Sequence, residues 1–213
     1  MYGSRARGDF EPDSDLEFFA ITEDGIKVDI EFTFNGIPCD MWSQTWEYFE
    51  NVSTLDAYWI LPAGALSYCK IIYARSKQDK SRLESIIKEI TQSKKYYEKN
   101  VQKATEFFEV MFKFLGRIQF AKYMNDRQEA RDACWDLIIS ATYIVAHINS
   151  KPLKHNWGQN LHELYIFEKL PKDLSSLVEK LVSESDFNRM VETGSILIES
   201  MRQFMISVTK DIP

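Results

Sequence analysis

The sequence predicts an α+β chain, with a short β region at the front followed by an α-helical bundle. Three observations carry that reading. Hydrophobic residues make up 45% of the 213 positions, enough to build a core rather than a disordered chain. Residues 1–38 are short in period and broken by Gly3, Gly8, Pro12, Gly25, Gly36 and Pro38. From about residue 40 onward the apolar spacing becomes helical, with no proline between Lys80 and Met124.

The elements follow in order. Leu16–Thr22 (LEFFAIT) is apolar and aromatic and reads as a buried strand. Glu23-Asp24-Gly25 reads as a tight hairpin turn. Ile26–Phe34 alternates, with Ile26, Val28, Ile30, Phe32 and Phe34 on one face and Asp29 and Glu31 on the other, as in a half-buried strand. Met41–Val52 reads as a short helix, and Leu61–Tyr73 as another that starts near Pro62. Lys80–Met124 reads as one long helical stretch with apolar residues at Ile86, Ile87 and Ile90, then Phe107, Val110, Met111, Phe114, Leu115 and Ile118. Asp126–Ile148 is apolar on most sides and ends at Ser150-Lys151-Pro152. Two further helices are expected near Lys172–Ser183 and Asp186–Lys210. No repeat of solenoid period appears, so a bundle is expected. The composition divides the chain into residues 1–78 and 79–213.

Charge and composition narrow the function classes. The net charge is −6 with no long basic run, which disfavours duplex nucleic acid as a partner. No apolar run reaches the roughly 20 residues that span a bilayer. The first residues lack the apolar core of a secretory signal. Cys39, Cys69 and Cys134 match neither a zinc spacing nor a disulfide framework, and reduced thiols in a cytoplasmic protein are the simpler reading.

Chemistry concentrates at the start. Gly3-Ser4 is followed, after an arginine-bearing turn, by Ser14-Asp15-Leu16-Glu17. Glycine lets a backbone approach phosphate closely, and N–H groups at a following helix start can face an anion. Asp15 and Glu17, two apart on a strand, project to one face. Carboxylates that converge there repel one another unless a cation sits between them, and a hard divalent ion such as magnesium suits all-oxygen ligands.

YGSRARGDFEPDSDLEFF with KVDIEF resembles the signature of the nucleotidyltransferase superfamily (polymerase β-like), most closely its kanamycin nucleotidyltransferase branch. The resemblance implies a small mixed β-sheet, here without the helix and strand that normally precede Gly-Ser, followed by a helical domain. It implies magnesium and ATP, with AMP transferred to a hydroxyl of an aminoglycoside, a polycationic acceptor. Gly3, Ser4 and Arg7 would hold the triphosphate, and Asp15, Glu17 and Asp29 the metal ions. In the helical part the family's cation falls on Arg117, after Gly116. Its base position falls on Lys113, so Glu109, one turn earlier, is the expected substitute, with Glu106 further along. A homodimer is implied as well. GSRARGDFEPDSD also looks like the minimal nucleotidyltransferases that modify a partner protein, and a non-catalytic nucleotide-binding homologue is the third reading.

Other groups suggest plainer roles. His147, His155 and His162 have no ligand spacing and read as core or hydrogen-bonded histidines. Trp42, Trp46, Tyr48, Phe49, Tyr58 and Trp59 would form either a stacking wall or, more commonly, core.

Overall fold

The computed structural model describes residues 1–54, 60–91, 97–153, 161–165 and 167–210. The chain forms two compact units, Met1–Lys95 with Pro152–Asn156, and Tyr96–Lys151 with Trp157–Pro213.

The first unit begins with the five-residue helix α1 (Gly3–Arg7) and strands β1 (Leu16–Thr22), β2 (Asp29–Phe34) and β3 (Ile37–Thr45). Helices α2 (Trp46–Thr54), α3 (Ile60–Ser67) and α4 (Lys77–Thr91) follow. The sheet order is β1-β3-β2, with β1 parallel and β2 antiparallel to β3. The strand predicted over Leu16–Thr22 stands at those bounds, though its side chains are half-buried rather than buried.

Three expectations are corrected here. The segment Met41–Val52 is not a single helix: Ile37–Thr45 is the central strand, and the helix begins at Trp46. Residues on either side pair with that strand, and the two ladders override a helical reading of its apolar residues. Glu23-Asp24-Gly25 does not join paired strands, because β3 lies between β1 and β2. It is a bend in which Asp24 Oδ1 accepts from the Ile26 N–H at 3.2 Å. The hairpin instead lies at Asn35-Gly36, where φ is +51° and +80° and Phe34 pairs with Ile37 across a two-residue loop. Finally, all six residues of β2 are exposed, so the apolar face of Ile30, Phe32 and Phe34 is open rather than half-buried.

Residues 26–28 are nonetheless tied to β3. The Ser43 hydroxyl donates to the Ile26 carbonyl at 2.8 Å and accepts from the Val28 N–H at 2.7 Å. The Ser43 N–H in turn donates to the Val28 carbonyl at 2.8 Å. Gly64 in α3 allows close packing, since a Cβ there would lie 1.8 Å from the Leu153 carbonyl oxygen. Helix α4 starts just before the residue-78 boundary read from composition, crosses it, and packs with α2 and α3 inside the first unit.

The second unit holds α5 (Tyr97–Met124), α6 (Arg127–Asn149), the single-turn α7 (Leu161–Leu164), α8 (Leu174–Ser183) and α9 (Phe187–Thr209). Within the helix-favouring stretch Lys80–Met124 the structure describes helix up to Thr91 and again from Tyr97; residues 92–96 lie outside the described residues. Helix α6 is central and packs against α5, α7, α8 and α9. Its residues Leu137, Ile144 and Val145 are fully buried. Asp126 caps its start, accepting from the N–H groups of Gln128 and Glu129, both at 3.1 Å. Ser150 ends it in the left-handed region at φ +50°. Asp186 caps α9 in the same way, with both bonds at 3.0 Å. Gly194 brings α9 close to its neighbours: a Cβ there would stand 3.1 Å from Leu137 and 3.2 Å from Leu115.

Asn100, His147 and Ser150 form a polar group inside this unit. Asn100 donates to the Ser150 hydroxyl at 2.8 Å, and its carbonyl oxygen lies 3.4 Å from His147 Nδ1. Phe107 stacks on the His147 ring at 5.6 Å. Burial, and secondarily Lys103, pushes the imidazole down to about 3, so His147 is a neutral core histidine. His155 and the side chain of His162 lie outside the described residues. No described helix is long and apolar enough to cross a membrane.

Candidate active site

The site is built where the chain start meets β1. The Tyr2 N–H donates to the Glu17 carbonyl at 2.9 Å, in an isolated antiparallel bridge. The chain then enters α1 at Gly3 with φ +73°. A Cβ at Gly3 would lie 1.6 Å from Glu17 Oε2, so the glycine is needed both for its backbone angle and for the space the carboxylate fills. The Ser4 carbonyl accepts from the N–H groups of Gly8 and Asp9 and closes the short helix. The Ser4 hydroxyl makes no hydrogen bond among the described residues.

Arginines order the loop between α1 and β1. Arg5 Nε donates to the Ser14 carbonyl at 2.8 Å, and its guanidinium lies 4.8 Å from the centre of the Phe10 ring. This fixes the approach to Asp15. Arg7 Nε donates to both carboxylate oxygens of Asp9 at 3.1 Å. Its charge also acts on Glu17.

The sheet register then decides which carboxylates meet. Glu17 pairs with Asp40, and Asp40 with Glu31, so one row crosses all three strands. Adjacent strands lie about 4.8 Å apart and opposed side chains share a face. Burial pushes the Glu17 carboxyl up; the Asp15 charge adds to this, Arg7 opposes it, and Asp40 adds again. Asp40 is likewise raised by burial, then by Asp29, Glu31 and Asp15. Asp40 is thus the acid that senses both halves of the group.

Asp40 is not among the acids the sequence singles out, because it stands just before the Met41–Val52 segment that reads as a helix. Two signals could have revealed it: the Asn35-Gly36 turn, and the alternation around buried Cys39 and Ser43. Asp29, expected as the third acid, lies on β2 opposite Trp42, one strand further from Glu17 than Asp40 is. The donor set is all oxygen and mutually repulsive, which fits a hard cation. Among the described residues, however, no three such side chains stand as a ready ligand group.

An aromatic cluster continues this face, since Phe19 and Trp42 alternate in step with Glu17 and Asp40. Phe19 stacks on Tyr2 at 5.2 Å and tilts against Phe49 at 5.1 Å, while Trp42 stacks on Phe49 at 6.1 Å. Trp42 Nε1 donates to the Tyr2 hydroxyl at 2.7 Å. Phe49 is therefore core, and half-buried Trp42 and Tyr48 pack against it. Trp46 lies under the Arg82 guanidinium at 4.5 Å. Tyr58 and Trp59 lie outside the described residues.

Two expected residues belong to the second unit. Glu109, like Glu106 and Lys113, is exposed on α5. Arg117 donates to Glu129 at 2.7 Å and to Asp136, and so ties α5 to α6.

The sequence matches no known protein family, and no curated protein matches it. The architecture does match a solved one. The crystal structure of a nucleotidyltransferase-like protein from Exiguobacterium sibiricum 255-15 aligns over 91% of this chain with a TM-score of 0.56 and 12% identity. The fold is nucleotidyltransferase-like. The aligned part of this chain spans 64% of that structure's length. A nucleotidyltransferase-like fold accounts for a small mixed sheet followed by a helical bundle, and it places the Gly-Ser turn and the acidic row in one unit.

Proposed function

We propose that this chain is a magnesium-dependent nucleotidyltransferase that moves AMP from ATP to a hydroxyl of a small acceptor, an aminoglycoside by resemblance. The observation that carries the reading is the meeting of Gly3 with Glu17: the carboxylate fills the space where a Cβ would stand, and Asp40 lies beside it in register. Gly3, the unengaged Ser4 hydroxyl and Arg7 would receive the triphosphate. Asp15, Glu17 and Asp40 would hold the cations, with Asp29 flanking Asp40. When bound, the cations neutralise charge on the phosphoryl oxygens and align attack with departure. The acceptor oxygen bonds to the α-phosphorus as the bond to pyrophosphate breaks. The acidic sheet face suits a polycationic acceptor, whose encounter it would speed.

The test is pyrophosphate release from magnesium-ATP across a panel of aminoglycosides, with Glu17→Gln as the control. Release that needs both an aminoglycoside and Glu17 supports the reading. Release only with a protein acceptor would move the activity to protein AMPylation. The alternative reading is a nucleotide-binding homologue without turnover. Saturable ATP binding without pyrophosphate in any condition would select it.

A further inference from the structure

Helix α6 carries a stripe that its packing on α8 leaves partly open. Arg131, Cys134, Trp135 and Ile138 stand at i, i+3, i+4 and i+7, on one face of the helix. With Leu181 and Val182 from the last turn of α8 they line a cavity of about 250 Å³. All six residues belong to the second unit. Cys134, Ile138 and Leu181 are buried and form its apolar floor. Trp135 and Val182 are 37% and 50% exposed, so solvent reaches the cavity past them. Arg131 is exposed at the same mouth.

The polar side chains at this mouth are donors. Guanidinium and indole give hydrogen bonds and accept none. Neither Arg131 nor Trp135 makes a hydrogen bond or ion pair among the described residues. The acids that could pair with Arg131 are engaged elsewhere. Asp126 caps α6, and Glu129 and Asp136 both accept from Arg117. Asp132 accepts from Gln128 at 2.9 Å. Just past α8, Glu184 accepts from the N–H groups of Ser185 and Asp186. Burial pushes the Cys134 thiol up to about 11, so the floor adds no negative charge. Arg131 is thus a cation without a partner at the rim of an apolar cavity.

Size and donor set together define a ligand. An apolar cavity of about 150 Å³ is known to take up benzene. This one has room for an aromatic ring and a short arm that reaches the mouth. We propose that the cavity binds a small aromatic monocarboxylate, with its ring on Cys134, Ile138 and Leu181 and its carboxylate on the Arg131 guanidinium. The Trp135 indole N–H is a second donor to the same group. A guanidinium holds a carboxylate through two parallel charge-assisted bonds, which fixes the ligand's direction in the cavity. The ring takes apolar surface of both partners out of water. A cationic ligand of the same shape meets only donors and a like charge, and is rejected. This chemistry is the opposite of a polycationic acceptor's, and the inference does not depend on nucleotidyl transfer.

Calorimetric titration of the full chain with phenylacetate tests it. The expected result is one site per chain with a dissociation constant of about 1 mM. Phenethylamine, with a similar ring and arm but the opposite charge, should bind at least about 10-fold more weakly. Arg131→Gln should weaken phenylacetate binding about 10-fold by removing the charged donor. Val182→Glu should weaken it by a similar factor, because it sets a carboxylate on the opposite wall. Both positions are exposed, and circular dichroism should show both variants folded. No saturable binding up to about 20 mM phenylacetate, well above the expected dissociation constant, overturns the proposal. So does phenethylamine bound as tightly as phenylacetate, or phenylacetate binding unchanged in either variant.

Discussion

Gly3→Ala is the substitution that best tests the geometry of the site. Gly3 has φ +73°, and a new Cβ would stand 1.6 Å from Glu17 Oε2. Placing alanine in the left-handed region costs about 1–2 kcal/mol. The carboxylate must rotate out of the contact, which a flexible side chain can do, at a cost of about 1 kcal/mol for the less favoured rotamer. Against these stands a stiffer unfolded chain, worth about 0.4–1 kcal/mol at a compatible position. The strain terms win, and the net loss is about 2 kcal/mol. Urea denaturation measures it. The double variant Gly3→Ala/Glu17→Ala removes the contact but keeps the backbone strain, so it should be about 1 kcal/mol more stable than the two single losses summed. Additive losses would mean that Glu17 does not occupy the glycine's empty space, and the account of the site would fail with it. Any pyrophosphate-releasing activity should vanish in Gly3→Ala even while the protein remains folded, because the carboxylate has been displaced.

Two other substitutions probe separate links. Asp40→Asn should lower nucleotidyl transfer by at least about 100-fold and Asp29→Asn by less than about 10-fold, since Asp40 is the acid registered with Glu17; initial rates at saturating magnesium-ATP decide between them, and equal losses would put Asp29 back beside Glu17. His147 should make the fold acid-sensitive: its imidazole sits at about 3 when folded and near 6.5 when unfolded, so its stabilisation is complete above pH 6.5 and declines as pH falls toward 3. At pH 4.5 the loss relative to pH 7 is about 2–3 kcal/mol, and urea titrations should show wild type losing that much more than His147→Gln over the same interval.

Much of the fold was legible because local chemistry and tertiary structure agreed. Leu16–Thr22 is a strand by both composition and pairing. Asp126 and Asp186 announce helix starts and cap them through their side chains.

The acidic site shows where a sequence argument reaches its limit. Asp15 and Glu17 are two residues apart, and alternation alone puts them on one face. Gly3 and Glu17 are brought together by a single backbone bridge at Tyr2, which no local propensity signals. Asp40 is harder still. Its segment, Ile37–Thr45, carries Met41 and Trp42 next to the aromatic residues of Trp46–Phe49, and read alone it blends into a helix. What makes it a strand is its place between β1 and β2, where both edges of its backbone are paired. The strongest local clue was Asn35-Gly36, whose positive φ angles fold β2 back onto β3 and bring Asp40 opposite Glu31. Once that turn is fixed, the parallel ladder with β1 fixes the rest, because Leu16 pairs with Cys39 and Glu17 must then meet Asp40. A slip of one residue in the β1–β3 ladder would turn Asp40 to the face opposite Glu17, and a slip in the β2–β3 ladder would take Glu31 away from it. The acid that registers with Glu17 is therefore specified by a turn and two strand registers acting together, and the spacing of acidic residues along the chain could not by itself distinguish it from Asp29.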